Sequence, residues 1–300
     1  MTDILHPVTV GAFVSTVTNV EIAYPRFIGA TSVSYIDGPL VRLELATPDR
    51  EVISNCAQLF GWSPDGTTAA FVSNPLWSTT ADLHLVTAGQ NRVIDSIPSG
   101  PIASDPNFNQ FDAQLLYAPN GAYLSLLQVP EITEFRIWRS DGTRIASIDT
   151  SQHPTMSVWS GDTLHWRDDK GVERWRGGVQ SLWLGGVKWI RPKASPRGGQ
   201  IVYETRDSGD IPYVSVLDTA TGAVRQLAGW RSAPVFLSSN LIWYQEERPC
   251  TASDSGVPGF GICVYRPNTP SGKTFIYDLQ TGTETESDIT AVYDVWPHPA

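Results

Sequence analysis

Histidines and serines are the first residues to test for chemistry. The five histidines His6, His84, His153, His165 and His298 are scattered. No His-Glu-x-x-His string occurs, and no two stand at a metal-site spacing, so no metal and no cofactor is assigned. His84 and His165 fall inside strand-like stretches, where a satisfied core or surface histidine is a plainer reading than a ligand. A serine hydrolase needs Gly-x-Ser-x-Gly on a strand-to-helix turn. The nearest string, Gly61-Trp62-Ser63-Pro64-Asp65, lacks the final glycine, and no α/β domain follows it. Asp168-Asp169-Lys170-Gly171 resembles part of a cation loop but reads better as a hairpin turn with two solvated carboxylates. Asp218 and Asp278 recur at one offset before Thr221-Gly222 and Thr281-Gly282, which points to turn hydrogen bonding. No residue is assigned as catalytic.

Two further features bear on recognition. The chain has 11 Trp and 10 Tyr, and Trp159, Trp166, Trp175, Trp183 and Trp189 fall close together. Such rings either stack on sugars or anchor an interface, or they fill gaps between packed sheets. Cys250 and Cys263 bracket a Gly/Ser/Pro-rich stretch, Thr251 to Ile262, and are the disulfide candidates. A bridge there would restrict the unfolded chain by about 3 kcal/mol and would favour an oxidising compartment. The alternative is three unpaired thiols, Cys56 included.

The elements that must position these residues are strands. Leu59 to Ser73 reads as a strand, a tight turn and a second strand, the turn being Trp62-Ser63-Pro64-Asp65-Gly66. Pro64 presets φ and Gly66 supplies a conformation that side chains resist. Similar units recur, with landmark turns near Gly29, Pro64, Pro119, Gly161, Pro196 and Ser239. Most lie roughly 35 to 55 residues apart, the length of one four-stranded repeat. No stretch has a helical apolar period of ten residues or more. In Phe275 to Leu279 the odd positions are apolar and should face a neighbouring sheet. The pattern predicts an all-β chain, a β-propeller of six or seven four-stranded blades, forming a single domain over 1–300 with an insertion at 248–271. Val292 to Pro297 reads as an orphan first strand, so the ring should close by pairing of N- and C-terminal strands, with Val8 to Ala23 as the N-terminal partner.

Trp62-Ser63-Pro64-Asp65-Gly66 followed by Ala69-Ala70-Phe71-Val72-Ser73 resembles the PD40, or WD40-like, repeat of TolB-type propellers. The copies at Pro119 and Pro196 match in part, and the resemblance runs from about residue 24 to the end. It implies a propeller that binds proteins in the periplasm or outside the cell, gates a hydrolase, or occasionally houses a lyase site. Fold and function separate readily, so it does not choose among them.

Composition narrows the choice. The chain is 41% hydrophobic and 17% charged, apolar enough for a large core. Its net charge is −10 and no Lys/Arg cluster suits phosphates, which argues against nucleic acid. No apolar run approaches the ~20 residues of a membrane span. The first residues show no signal peptide, which leaves a cytoplasmic chain, or a periplasmic or extracellular one whose signal or anchor has been removed. The resulting expectation is a non-catalytic scaffold binding a protein or peptide through a rim or the channel mouth. Arg248, Phe260, Val264 and Tyr265 in the insertion are the partner-binding candidates, because long loops on rigid scaffolds carry function. The alternatives are a propeller lyase or hydrolase acting on a sugar-derived substrate in the central channel, and a carbohydrate-binding module.

Overall fold

The computed structural model describes residues 6–7, 23–28, 32–36, 39–44, 47, 49–55, 57–73, 80–98, 114–127, 134–149, 155–250, 268–290, 292 and 295–296. Among these there is no helix, and hence none long and apolar enough to cross a membrane. Strand β1 is His6–Pro7. Blade 1 then comprises β2 (Ala23–Ile28), β3 (Ser32–Ile36), β4 (Leu40–Glu44) and β5 (Arg50–Ser54). Blade 2 comprises β6 (Ala57–Trp62), β7 (Thr68–Ser73), β8 (Thr80–Thr87) and β9 (Gln90–Pro98). Blade 3 comprises β10 (Gln114–Tyr117), β11 (Tyr123–Leu127), β12 (Glu134–Arg139) and β13 (Arg144–Asp149). Blade 4 comprises β14 (Thr155–Ser160), β15 (Thr163–Asp168), β16 (Gly171–Arg176) and β17 (Val179–Gly185). Blade 5 comprises β18 (Ile190–Ala194), β19 (Gln200–Arg206), β20 (Pro212–Asp218) and β21 (Val224–Gly229). Blade 6 comprises β22 (Arg231–Phe236), β23 (Leu241–Pro249), β24 (Asn268–Asp278) and β25 (Thr283–Ser287), and β26 is Val295–Trp296.

Each blade is an antiparallel sheet of four consecutive strands in sequence order. Alternation sets its faces: β8 reads exposed, buried, half-buried, buried along Thr80 to Leu83 and continues so. Both faces of the inner strands are apolar, so each sheet must bury itself against two neighbours. Leu83, Leu85 and Ile97 of blade 2 pack on Leu115, Leu124 and Trp138 of blade 3. Val202, Val214 and Val216 of blade 5 pack on Ile242, Tyr244, Phe275 and Tyr277 of blade 6. Phe275, Tyr277 and Leu279 therefore face blade 5, as their alternation predicts, while Ile276 packs on Trp243 across the other face. Sheets packed face to face in this order are the blades of a six-bladed β-propeller.

The N- and C-terminal strands pair as expected but outside the blades, and the expected bounds of the insertion change. The described termini do meet, with His6 opposite Trp296 and Pro7 opposite Val295, but in a separate two-stranded ladder. No four-stranded sheet mixes strands from both ends, because each blade already finds four strands locally. The strand predicted over Val8 to Ala23 falls, except for Ala23, outside the described residues. The predicted boundaries of the insertion at 248–271 also move inward. Arg248 and Pro249 continue β23 and pair with Thr269 and Asn268 of β24, since extended backbone is most cheaply satisfied by its hairpin partner.

Candidate interaction rim

Antiparallel order gives the propeller two unlike rims. First-to-second and third-to-fourth strand connections emerge on one, here the turn rim; the remaining connections emerge on the other, the loop rim. Turn-rim connections are short, such as 63–67, 118–122, 140–143, 177–178 and 279–282. The long connections 99–113 and 250–267, together with 74–79 and 128–133, all leave from the loop rim.

Carboxylates organise the turn rim. Asp65 Oδ1 accepts from Ser63 Oγ at 2.6 Å, Thr67 Oγ1 at 2.9 Å and Thr67 N at 3.1 Å. Gly66, at φ 69°, donates its N–H to the Ser63 carbonyl at 2.8 Å. The Ser63 hydroxyl, then the Thr67 N–H, hold the Asp65 carboxyl below its ordinary value. Asp218 accepts from Thr221 N at 2.8 Å, and Asp278 accepts from Gln280 N at 2.7 Å. These are the turn roles expected for both. Trp62-Ser63-Pro64-Asp65-Gly66 is thus a folding element, with Arg42 of blade 1 stacked 5.7 Å over the Trp62 ring.

The loop rim is built differently, and its base beside the insertion is a charged latch. Glu204 of β19 is fully buried, and Arg206 on the same face meets it at 2.8 Å. Arg206 also reaches Glu247 of β23 at 2.9 Å and Asp210 at 3.3 Å. Asn268, the first residue of β24, donates Nδ2–H to the Asp210 carbonyl at 2.6 Å. Burial alone would lower the Arg206 pKa, but Glu204 and Glu247 outweigh it and raise the value, so the cation persists. A buried charge is tolerable only when paired this fully. The latch ties blade 5 to both strands that carry the insertion.

Above this latch the innermost strands share a kink. Met156, Arg191 and Ala233 have φ of 55°, 51° and 51° at equivalent places in β14, β18 and β22, where each pairing register slips. A left-handed non-glycine residue costs about 1–2 kcal/mol. Bonds from the preceding blade hold the kinks: Ser157 N–H to Gln114 Oε1 at 2.7 Å, Arg191 N–H to Met156 Sδ at 2.8 Å, and Ala233 N–H to Glu204 Oε2 at 3.2 Å. No glycine marks these positions, so the sequence alone carries no signal for them.

Of the residues singled out from sequence, Arg248 is half-buried in β23 with its guanidinium on the Pro249 carbonyl at 3.3 Å. Cys250 follows directly at the root of the insertion. Phe260, Cys263, Val264, Tyr265 and Cys56 lie outside the described residues. Trp159, Trp166, Trp175 and Trp189 are buried between blades, and their rings are occupied in packing rather than presented to a sugar. Asp168-Asp169-Lys170 is a hairpin turn as expected, but only Asp169 is solvated. Asp168 is 7% exposed because its Oδ1 turns inward to accept Lys170 N–H at 2.7 Å.

The histidines divide. His84 is satisfied, with Nε2 2.7 Å from Ser73 Oγ and Nδ1 2.9 Å from Asn91 Oδ1, and its ring stacks on Phe71. His165 is buried between blades 4 and 5 with Nδ1 unpartnered, against the Trp183 ring at 4.6 Å, contrary to the expectation of a satisfied side chain. Burial, then the nearby Arg174 charge, pushes its pKa down to about 3, so it is neutral. Among the described residues no three His, Cys, Asp or Glu side chains gather where they could hold a metal ion.

With this geometry in hand, the chain can be set beside known proteins. No family model and no curated protein matches it. Solved structures do. Oligogalacturonate lyase in complex with manganese aligns over 85% of this chain and 72% of its own, at 12% identity and TM-score 0.56. Acylaminoacyl peptidase from Pyrococcus horikoshii aligns over 88% of this chain and 45% of its own, at 12% identity and TM-score 0.56. Hydrazine synthase from Kuenenia stuttgartiensis aligns over 77% and 65%, at 17% identity and TM-score 0.50. This chain spans less than two thirds of the peptidase and of the synthase chain. Likeness at such identity is likeness of fold, and it agrees with the six sheets: the chain is a β-propeller. The similar structures include a peptidase and a lyase, and a shared fold does not choose a function.

Proposed function

We propose that the chain is a binding propeller that takes a protein or peptide partner on its loop rim, with the insertion after β23 as one edge of the contact surface. The observation that carries this reading is the contrast between the rims. One is closed by short self-satisfied turns, whereas the other carries the four longest connections between blade strands and braces the longest with a buried ionic latch. A cost of that kind is worth meeting where a loop must be presented in a set orientation. Met156, Arg191 and Ala233 add strained backbone at the inner lip of the same rim. A Cys250–Cys263 bridge belongs to this reading as the staple that shortens the loop, and with it an oxidising compartment.

The test replaces residues 251–262 by a short Gly-Ser link. Cross-linking and affinity capture with the intact chain should recover a partner cross-linked to loop-rim residues, and the replacement should lose it while melting stays cooperative. Recovery undiminished by the replacement removes the insertion from the interface, and cross-links confined to the turn rim overturn the reading. Peptide mapping without reductant should find Cys250 and Cys263 joined and Cys56 free.

A further inference from the structure

Among the described residues, the outermost strand of every blade pairs on one side only, and such open edges invite pairing unless they are blunted, most often by charge. Five of the six are blunted in that way. Strand β5 carries Arg50 and Glu51, β9 Arg92 and Asp95, β13 Arg144 and Asp149, β21 Arg225, and β25 Glu284 and Glu286. Strand β17, Val179-Gln180-Ser181-Leu182-Trp183-Leu184-Gly185, carries none. It also holds two of the most exposed large apolar side chains, Val179 at 68% and Leu182 at 49%. Val224, on the outer strand of the next blade, is exposed to a similar degree.

The hairpin that leads into β17 decides which backbone groups face outward. Gly177 and Gly178 both have positive φ, 57° and 91°, which makes a two-residue turn of the mirror-image type. In such a hairpin the flanking pair, Arg176 and Val179, exchange ladder hydrogen bonds, and so does the pair Arg174 and Ser181. Gln180 and Leu182 therefore aim their N–H and C=O groups away from β16. The ladder slips only beyond this stretch, between Val172 and Glu173.

Charge says what would fit. The whole chain has 21 basic and 31 acidic residues, yet between His165 and Gly199 eight are basic and three acidic. Arg174, exposed on β16, lies across Ser181 at 3.3 Å and over the Trp183 ring at 5.8 Å, so its guanidinium already rests on the edge strand. A second copy of this chain paired on β17 would bring Arg174 toward Arg174 on one face, which like charge opposes.

We propose that the outer edge of β17 is a second docking surface, which takes an extended acidic peptide from a partner protein as a fifth strand of blade 4. Backbone bonds to Gln180 and Leu182 supply the pairing, as in other strand additions. Alternation supplies the selectivity. Peptide carboxylates on the face of Val179 and Ser181 meet Arg174, and apolar side chains on the opposite face cover Leu182. This surface lies on the outer wall, apart from the loop rim, so the two stand or fall separately.

The probe is a short fluorescein-labelled peptide alternating glutamate and valine, with a lysine and valine peptide as its control, read by anisotropy against the full chain. The acidic peptide should bind about tenfold or more tightly than the basic one, with the preference shrinking as salt rises. Gln180→Pro removes one outward N–H without touching the inward ladder, and Leu182→Ser removes the apolar side chain that the peptide would cover, should the proline variant fail to fold. Either should weaken binding about tenfold at unchanged melting temperature, and Arg174→Glu should abolish the charge preference. Equal binding of both peptides, or binding indifferent to Gln180→Pro and Leu182→Ser, overturns the proposal. So does a dimer in light scattering that either edge variant dissolves, because the occupant would then be a second copy.

Discussion

Blades 2 and 4 build the same four-stranded sheet from different materials. In blade 2 the first two strands are joined through Ser63-Pro64-Asp65-Gly66, a turn whose carboxylate collects three hydrogen bonds from Ser63 and Thr67. Its face toward blade 3 is aliphatic, with Leu83, Leu85 and Ile97. In blade 4 the corresponding connection shrinks to Gly161 and Asp162, and the repeat motif is gone. Aromatic rings fill its faces instead. Tyr123 of blade 3 stacks on Trp159 at 5.8 Å and meets Trp175 edge-on at 5.4 Å, while Phe135 tilts on Trp166 at 5.1 Å. The difference teaches that the repeat motif is a local solution to one turn. The blade itself depends on strands whose two faces can both be covered.

The comparison breaks most visibly at Trp166, which is fully buried and makes no side-chain hydrogen bond. Trp166→Ala should destabilise the protein by about 3–5 kcal/mol, read as a fall in denaturant midpoint, because large cavities in packed layers relax only in part. A loss under 1 kcal/mol would show that blade 4 is loosely packed and the contrast with blade 2 superficial.

Acid should divide the two blades next. His165 is neutral in the fold, with a pKa of about 3 against 6.5 when exposed, so the unfolded chain binds the extra proton between those values. Stability is full above pH 6.5 and falls as pH drops toward 3, by about 2–3 kcal/mol between pH 7 and 4.5. Asp65 behaves oppositely in position: its lowered pKa contributes stability that is intact above about pH 4 and lost only below it. Denaturant melts across pH 4.5–7 should therefore be steeper for the wild type than for His165→Phe, and indifferent to Asp65→Asn. Identical slopes for wild type and His165→Phe would remove the buried histidine from the account.

The smallest effect is expected at the motif that is easiest to read. Asp65→Ala should cost about 1 kcal/mol, the net worth of an exposed turn's hydrogen bonds. A cost comparable to that of Trp166→Ala would mean that the turn organises the whole blade after all.

Legibility follows the range of the interaction. The Asp65, Asp218 and Asp278 turns, and the faces of Phe275 and Tyr277, follow from neighbours a few residues apart. The latch does not: Arg206 and Glu247 are far apart in sequence and meet only because blades 5 and 6 pack. Asp168 looked solvated because its string is polar, whereas its inward turn depends on the hairpin's geometry. The kinks at Met156, Arg191 and Ala233 carry no local mark, since the bonds that hold them come from the preceding blade.

By itself, the sequence determined most strands and their turns and narrowed the repeats to six or seven, because alternation and turn chemistry act over a few residues and need no distant partner. Only the tertiary structure decided which connections share a rim, that Glu204 lies buried under an arginine, that Trp159, Trp166, Trp175 and Trp189 are spent on packing, and that one outer strand in six, left without charge, stands at a sheet edge. Those outcomes arise from sheets stacked face to face, a condition that no short stretch of chain contains.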